Sequence, residues 1–383
     1  MFIAGYNLIN VLILITIILF IVQIVYLLSV YNLHFINRKK VYDDNITPPL
    51  SVIVVVTNIN EKIESNLKSL LEQDYPDFEV IVVYEQINKL IEDELIRIKN
   101  QYSNLYITFI PETARYISHK KLGITIGIKA SKNDILIFTE PDAHPVSNQW
   151  LRKIARNFTE GTDFVFGYSN YEINKNWFNR VIIFDRLKES LKYLGMAINK
   201  MPYKASGYNL AYRKSIFYKN NGFNKHLNLQ RGEDDLFVNE YAKSKNTKVE
   251  ISAESVVRID NPSTRTDWVM DKLSAYNTQK YYKGFGISIT KIFNSLLILF
   301  NIVALIALLL TFYRLEWHYF AVIVGLILLQ FIIQTVIIFR VCSKLNERSY
   351  ILSYFIINIY LKLANIKIIC KKVLTNKKDF LRR

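Results

Sequence analysis

The sequence predicts an α/β domain with a doubly wound, mostly parallel sheet, held to a membrane by an N-terminal anchor and a C-terminal hairpin. Three observations carry this. Short apolar, β-branched runs alternate with helical stretches through the middle of the chain. A charge-free run of membrane-spanning length lies near the N-terminus. Two more such runs stand close together near the C-terminus.

The 383 residues are 51% hydrophobic and 21% charged. That mixture is too apolar for a purely soluble enzyme and too charged for a pure membrane bundle. The apolar residues are accordingly segregated along the chain. The net charge of +16 sits largely in clusters beside apolar runs: Arg38, Lys39 and Lys40 at one end, and Lys371, Lys372, Lys377, Lys378, Arg382 and Arg383 at the other. Such placement reads as a membrane-orientation signal and a contact to anionic lipids. No zinc-finger spacing and no basic helix interleaved with aromatics accompanies it, so nucleic acid is not the expected partner. The two cysteines, Cys342 and Cys370, make neither a disulfide framework nor a metal pair. They suit a reducing, cytoplasmic location for the soluble part.

Leu8 to Leu28 carries no charge and has about the 20 residues that cross a hydrocarbon core. The run lacks a preceding basic region and a following small-residue cleavage site, so an uncleaved anchor is expected rather than a signal peptide. Arg38–Lys40 then place the following domain in the cytoplasm and the short N-terminus outside. Ile292 to Phe312 and Tyr319 to Phe339, parted by a short polar segment, form a membrane hairpin, and Arg340, Lys344 and Arg348 bring the chain back inside. Tyr350 to Cys370 is apolar but carries Lys362 and Lys367. It reads as a helix lying in the interface, with a fourth span as the alternative. The expected divisions are an anchor over 1–40, the soluble domain over 48–284, the hairpin over 285–345, and the interfacial helix and basic tail over 346–383.

Within the soluble part, Leu50–Thr57 and Phe78–Tyr84 read as strands buried on both faces. Leu105–Ile110 and Asp134–Thr139 follow as a third and a fourth. Between them Ile63, Leu67, Leu70 and Leu71 show amphipathic helical spacing, and helices are also expected around 91–102 and 120–131. Ligands of such sheets bind at the carboxyl ends of the strands, here just after Thr57, Tyr84 and Thr139. Glu140 and Asp142 stand two residues apart after the fourth strand. They read either as ligands of a hard divalent cation that also holds a diphosphate or as a polar turn around Pro141. Asp234 and Asp235 open an amphipathic helix, as an N-terminal cap or as a carboxylate general base.

The segments LSVIVVVTN, LLEQDYPDFEVIVV, HKKLGITIGIKASKNDILIFTEPDAHP, NLAYRKSIF, GEDDLFVNE and QKYYKG resemble, in this order, the membrane-bound bacterial glycosyltransferases of family 2. The resemblance runs from about Pro48 to Gly284. It implies a GT-A fold, a nucleotide-diphosphate sugar donor, a divalent metal (Mn²⁺ or Mg²⁺) and transfer to a lipid-linked or envelope-polysaccharide acceptor. On this resemblance Asp142, with Glu140, is expected to hold the metal, and Asp234, with Asp235 as the alternative, to be the catalytic base. Thr57, Asn58, Glu61, Glu85, Lys120, Lys121 and Glu140 are expected to bind the nucleotide sugar. The expected location is the bacterial inner membrane, with the catalytic domain facing the cytoplasm.

The chain departs from the family pattern at several polar positions. Ile59 stands where Glu is expected, Glu85 and Glu140 where Asp is, and Tyr208 where Arg is frequent. Asp271, Leu273, Ser274 and Ala275 replace a Gln/Arg/His-rich stretch. The alternative these departures raise is a catalytically weakened scaffold acting with other envelope-biosynthesis proteins.

Overall fold

The computed structural model describes residues 2–31, 46–57, 61–87, 89–114, 118–351 and 353–374. The chain divides into two compact units, one of residues 1–38 and 284–355, the other of 39–283 and 356–383. The basic cluster Arg38–Lys40 lies outside the described residues, as do Asn58, Ile59 and the tail from Thr375.

The first unit contains α1 (Phe2–Tyr26), α10 (Phe285–Tyr313) and α11 (Trp317–Lys344). Three helices here are long and apolar enough to cross a membrane: Leu8–Tyr31, which takes in most of α1 and one following turn, Phe285–Tyr313, and Trp317–Lys344. Their shared seam is built on Ile9, Ile13, Ala304, Ala307 and Ile323. Small alanines at such a seam let helix backbones approach closely, which matters where lipid gives no hydrophobic drive for association. Tyr26 stacks on Phe293 at 4.2 Å. Thr16 and Thr311 return their hydroxyls to the carbonyls of Leu12 and Ala307, both at 2.8 Å, so neither leaves a polar group unsatisfied in an apolar setting.

The second unit carries, in chain order, β1 (Leu50–Val56), α2 (Ile63–Leu71), β2 (Phe78–Glu85), α3 (Lys89–Lys99), β3 (Leu105–Ile110), α4 (His119–Ala130), β4 (Ile135–Thr139), β5 (Ala143–Pro145) and α5 (Trp150–Ala155). Then come β6 (Phe164–Gly167), β7 (Ser169–Tyr171), α6 (Trp177–Ile198), β8 (Leu210–Arg213), α7 (Lys214–Lys219), α8 (Asp235–Tyr241), β9 (Thr247–Glu250), β10 (Val257–Ile259) and α9 (Arg265–Gln279). Helix α12 (Tyr354–Leu374) begins where the first unit ends, and all of it from Ile356 belongs to this unit. Lys188 of α6 donates to its Asn358 at 2.8 Å.

The main sheet runs β3-β2-β1-β4-β8-β6-β9. Its first four strands are parallel, β8 lies antiparallel to both β4 and β6, and β9 is parallel to β6. It is therefore mixed and mostly parallel, as the alternating pattern predicts. Every residue of β1 and β4 is buried, which explains their unbroken apolar runs. A smaller sheet, β5-β10-β7, follows the turn after β4.

Two close approaches fix the frame around the ligand end. Helix α4 lies on β1 through glycines: a Cβ at Gly123 would meet Val55 Cγ1 at 2.5 Å, and one at Gly127 would meet Ile53 Cγ2 at 2.7 Å. Buried Asn209 accepts from Trp150 Nε1 at 3.1 Å and donates to the carbonyls of Tyr168 and Ser255, both at 2.8 Å. One side chain thus ties α5, the short turn before β8 and the segment before β10. Overpacking a tight interface costs roughly 1–3 kcal/mol. Gly127→Val should accordingly lower the melting temperature of the full chain in detergent, with Gly127→Ala milder. An unchanged melting temperature in Gly127→Val would contradict this packing.

Candidate functional site

The carboxyl end of β4, the start of α4, the middle of α6, the turn at Gly207–Asn209, the start of α8 and the body of α9 converge on one cavity of about 220 Å³. Thr139 at the end of β4 donates its hydroxyl to the carbonyl of Tyr208 at 3.1 Å, joining the strand end to that turn. Gly232 takes a φ of +108° just before Glu233 and Asp234, a conformation that Gly adopts without the clash a Cβ would bring. Gly207 approaches Asp234 so closely that its N–H donates to Asp234 Oδ2 at 2.6 Å.

Carboxylates crowd this end, and Lys120 is set between them. Its Nζ lies 2.6 Å from Glu140 Oε1 and 3.1 Å from Glu233 Oε1. Burial alone would lower the pKa of Lys120, but the fields of Glu140, Glu233 and Asp234 outweigh it and keep the ammonium charged. Burial likewise opposes ionisation of Glu233, yet Lys120 holds that carboxyl below its usual range. Glu140 is pushed up to about 7, mainly by burial, with Lys120 acting against the rise. Asp234 is raised to about 6 by burial and by its neighbours Asp235 and Glu233.

The neighbouring aspartates have different surroundings. Asp234 accepts from the N–H groups of Gly207 and Asp235 and lines the cavity. Asp235 Oδ2 accepts hydroxyl hydrogen bonds from Thr278, at 2.7 Å, and from Tyr282, tying α8 to the end of α9. The Lys pair divides in the same way. Lys120 faces the cavity, whereas Lys121 is buried and gives its ammonium to the carbonyls of His226, Leu229 and Arg231 at 2.6, 2.7 and 3.0 Å. All three donors of Lys121 are thereby committed to the loop before α8, leaving none for a donor phosphate.

Of the other expected residues, Asp142 is joined to the cavity wall by Tyr208, whose hydroxyl donates to Asp142 Oδ2 at 3.2 Å. Glu85 lies 3.0 Å from Nδ1 of His119 and is not among the residues lining the cavity. Thr57 is half-buried at the end of β1 and Glu61 is exposed. Of the α9 positions, Asp271, Ser274 and Ala275 line the cavity, while Leu273 is fully buried on the other face. The motifs did not single out Arg186, Ser206 or Tyr171, which also line the cavity.

A divalent cation held only by protein would need several ligands, and among the described residues no three His, Cys, Asp or Glu side chains gather around one point. A cation completed by substrate phosphates needs one or two carboxylates. Asp142 fits that role. Burial raises its pKa, it has no ion pair among the described residues, and its hard oxygens suit Mg²⁺ or Mn²⁺. Glu140, two residues earlier, is already paired with Lys120.

Residues 51–220 match the model of glycosyl transferase family 2. The match lies within the soluble domain and covers less than half of the chain. No curated protein is matched by the sequence. The structure is similar to that of the mannosyltransferase PcManGT from Pyrobaculum calidifontis, solved with GDP-Man and Mn²⁺, with a TM-score of 0.56 and 16% identity over 94% of this chain and 99% of that one. It also matches S. aureus TarS residues 1–349, solved with UDP-GlcNAc, with a TM-score of 0.43 and 15% identity over 65% of this chain and 71% of that one. The likeness to PcManGT shows that the soluble domain has the GT-A fold.

Lys120→Met would leave Glu140 and Glu233 without their cation. Both carboxyls would then bind protons more readily folded than unfolded, so stability is lost as pH rises above the ordinary Glu pKa of about 4.3. The melting-temperature deficit of Lys120→Met relative to the native chain should be larger at pH 8 than at pH 5. An equal deficit at both would contradict the bridging role.

Proposed function

We propose that this glycosyltransferase moves a sugar from a nucleoside-diphosphate donor to a lipid-linked or envelope-polysaccharide acceptor, with inversion, using Asp234 as the general base and Asp142 to hold a divalent cation. The observation that carries the reading is the placement of Asp234 on the same cavity as the end of β4, with its carboxyl raised to about 6.

A pKa near 6 leaves Asp234 ionised at neutral pH and makes it a better proton acceptor than an ordinary aspartate. The N–H groups of Gly207 and Asp235 hold the carboxylate in place. Asp234 takes the proton of the acceptor hydroxyl as that oxygen attacks the anomeric carbon, and the carbon–oxygen bond to the diphosphate breaks on the opposite face. The cation, when bound at Asp142, neutralises charge developing on the leaving diphosphate. Asp235, engaged by Thr278 and Tyr282, positions Asp234 rather than sharing its role. GDP-Man and Mn²⁺ in PcManGT support a donor and a cation of this kind. The retained base favours turnover over a scaffold role.

Three helices of spanning length and the basic clusters beside them support a multi-pass protein of the bacterial inner membrane, with the domain on the cytoplasmic side and the clusters against anionic lipid. Helix α12, with Lys362 and Lys367, is assigned to the interface. These placements bring a lipid-linked acceptor and other envelope-biosynthesis proteins within reach.

A panel of UDP-, GDP- and dTDP-sugars, assayed in membranes with Mn²⁺ or Mg²⁺, tests the reading. At least one should turn over. Asp234→Asn should reduce turnover roughly 10²- to 10⁴-fold while donor binding persists, and Asp142→Ala should abolish metal-dependent turnover. Because the base works unprotonated, native turnover should fall as pH drops through about 6. A flat profile from pH 5 to 8 would contradict Asp234 as the base, and absence of nucleotide binding with either metal would overturn the donor assignment.

A further inference from the structure

Five cations line the cavity, and four have a carboxylate partner. Lys120 has Glu140 and Glu233, Lys204 has Glu189, Arg231 has Asp271, and Lys272 has Asp185. Arg186, in the middle of α6, has none among the described residues.

Its contacts are all neutral. Nε donates to the carbonyl of Ser169 at 3.3 Å, and Nη2 donates to Ser169 Oγ at 3.2 Å and to Ser206 Oγ at 3.1 Å. The rings of Tyr171 and Tyr208 flank the guanidinium, with centroids 5.4 and 4.8 Å from Cζ. A guanidinium has five N–H groups. Three are placed by these bonds, which leaves both donors of Nη1, an atom that is not sealed off from solvent. The head group is thus fixed by neutral partners, with no carboxylate in contact among the described residues and one edge open. That arrangement is costly when empty and well prepared for an anion, and a planar fork suits the oxygens of a phosphate. Tyr208 adds the second observation. Its ring carries Arg186 while its hydroxyl donates to Asp142, so one residue spaces the cation from the carboxylate assigned to the metal.

We propose that Arg186 binds a phosphate oxyanion of the substrates through Nη1, at a spacing from Asp142 set by Tyr208. The proposal rests on the transferase reading above. The phosphate belongs either to the donor diphosphate or to a phosphate-headed acceptor lipid, and the two sources call for different probes.

The test uses the full chain in detergent with Mn²⁺, comparing native protein, Arg186→Gln and Arg186→Lys. The probes are UDP and GDP, the parent nucleosides uridine and guanosine, and farnesyl phosphate. Loss of a charge-assisted hydrogen bond should weaken the nucleoside diphosphate that the native protein binds by roughly tenfold or more and leave its nucleoside unchanged. Arg186→Lys, which keeps the charge and loses the fork, should fall between. If the diphosphate is unaffected but farnesyl phosphate is weakened, the oxyanion is the acceptor's. Unchanged affinity for every probe would overturn the proposal, as would equal weakening of diphosphate and nucleoside, the result of a merely structural role. If the native chain binds no nucleoside diphosphate and turns over no nucleotide sugar, the transferase reading itself fails and the inference falls with it.

Discussion

Everything at the ligand end of the sheet depends on Lys120 standing between Glu140 and Glu233. The carboxylates follow β4 on one side and precede α8 on the other, and both are largely withdrawn from water. Without a shared cation they would repel one another, and the loop carrying Asp234 would be driven from the strand end. Like charges in a poorly solvated setting cannot all remain ionised. The lysine offsets that repulsion for two of the carboxyls, while burial, with Asp235 and Glu233 beside it, raises the pKa of Asp234.

Neighbours in the chain are given unlike tasks by the same geometry. Lys120 reaches the cavity and Lys121 reaches carbonyls of the loop before α8, because successive residues at a helix start point about a quarter-turn apart. Asp234 and Asp235 both border the cavity, but the carboxylate of Asp235 is taken up by Thr278 and Tyr282. Tyr208, where the family pattern frequently has Arg, is not a simple loss of charge. Its ring supports the guanidinium of Arg186, delivered from α6.

The sequence makes the parallel half of the sheet legible because β1, β2 and β4 are buried and therefore apolar throughout or nearly so. The spanning helices are legible from length and absence of charge alone. Strands β5, β7 and β10 have three residues each, too few for a period to show. The insertion of β8 beside β4 is a long-range pairing that no local pattern announces. The sequence could single out Glu140, Asp142 and Asp234 as candidates because ligands of such sheets bind at strand ends and acidic residues open α8. Arg186 could not, since it lies mid-helix and gains its setting from two tyrosines and two serines distant in sequence. The division of Lys120 from Lys121 was equally hidden, because a Lys pair reads the same whichever member faces the ligand.

The central claim is that this cavity takes a nucleoside diphosphate together with a divalent cation, Asp142 being the protein's main contribution to that cation. Mn²⁺ binding to the full chain in detergent, followed by electron paramagnetic resonance with and without UDP or GDP, tests it most directly. Tight Mn²⁺ binding is predicted only when a nucleoside diphosphate is present, and it should disappear in Asp142→Ala. Mn²⁺ held equally well without nucleotide, or held unchanged in Asp142→Ala, would contradict the account.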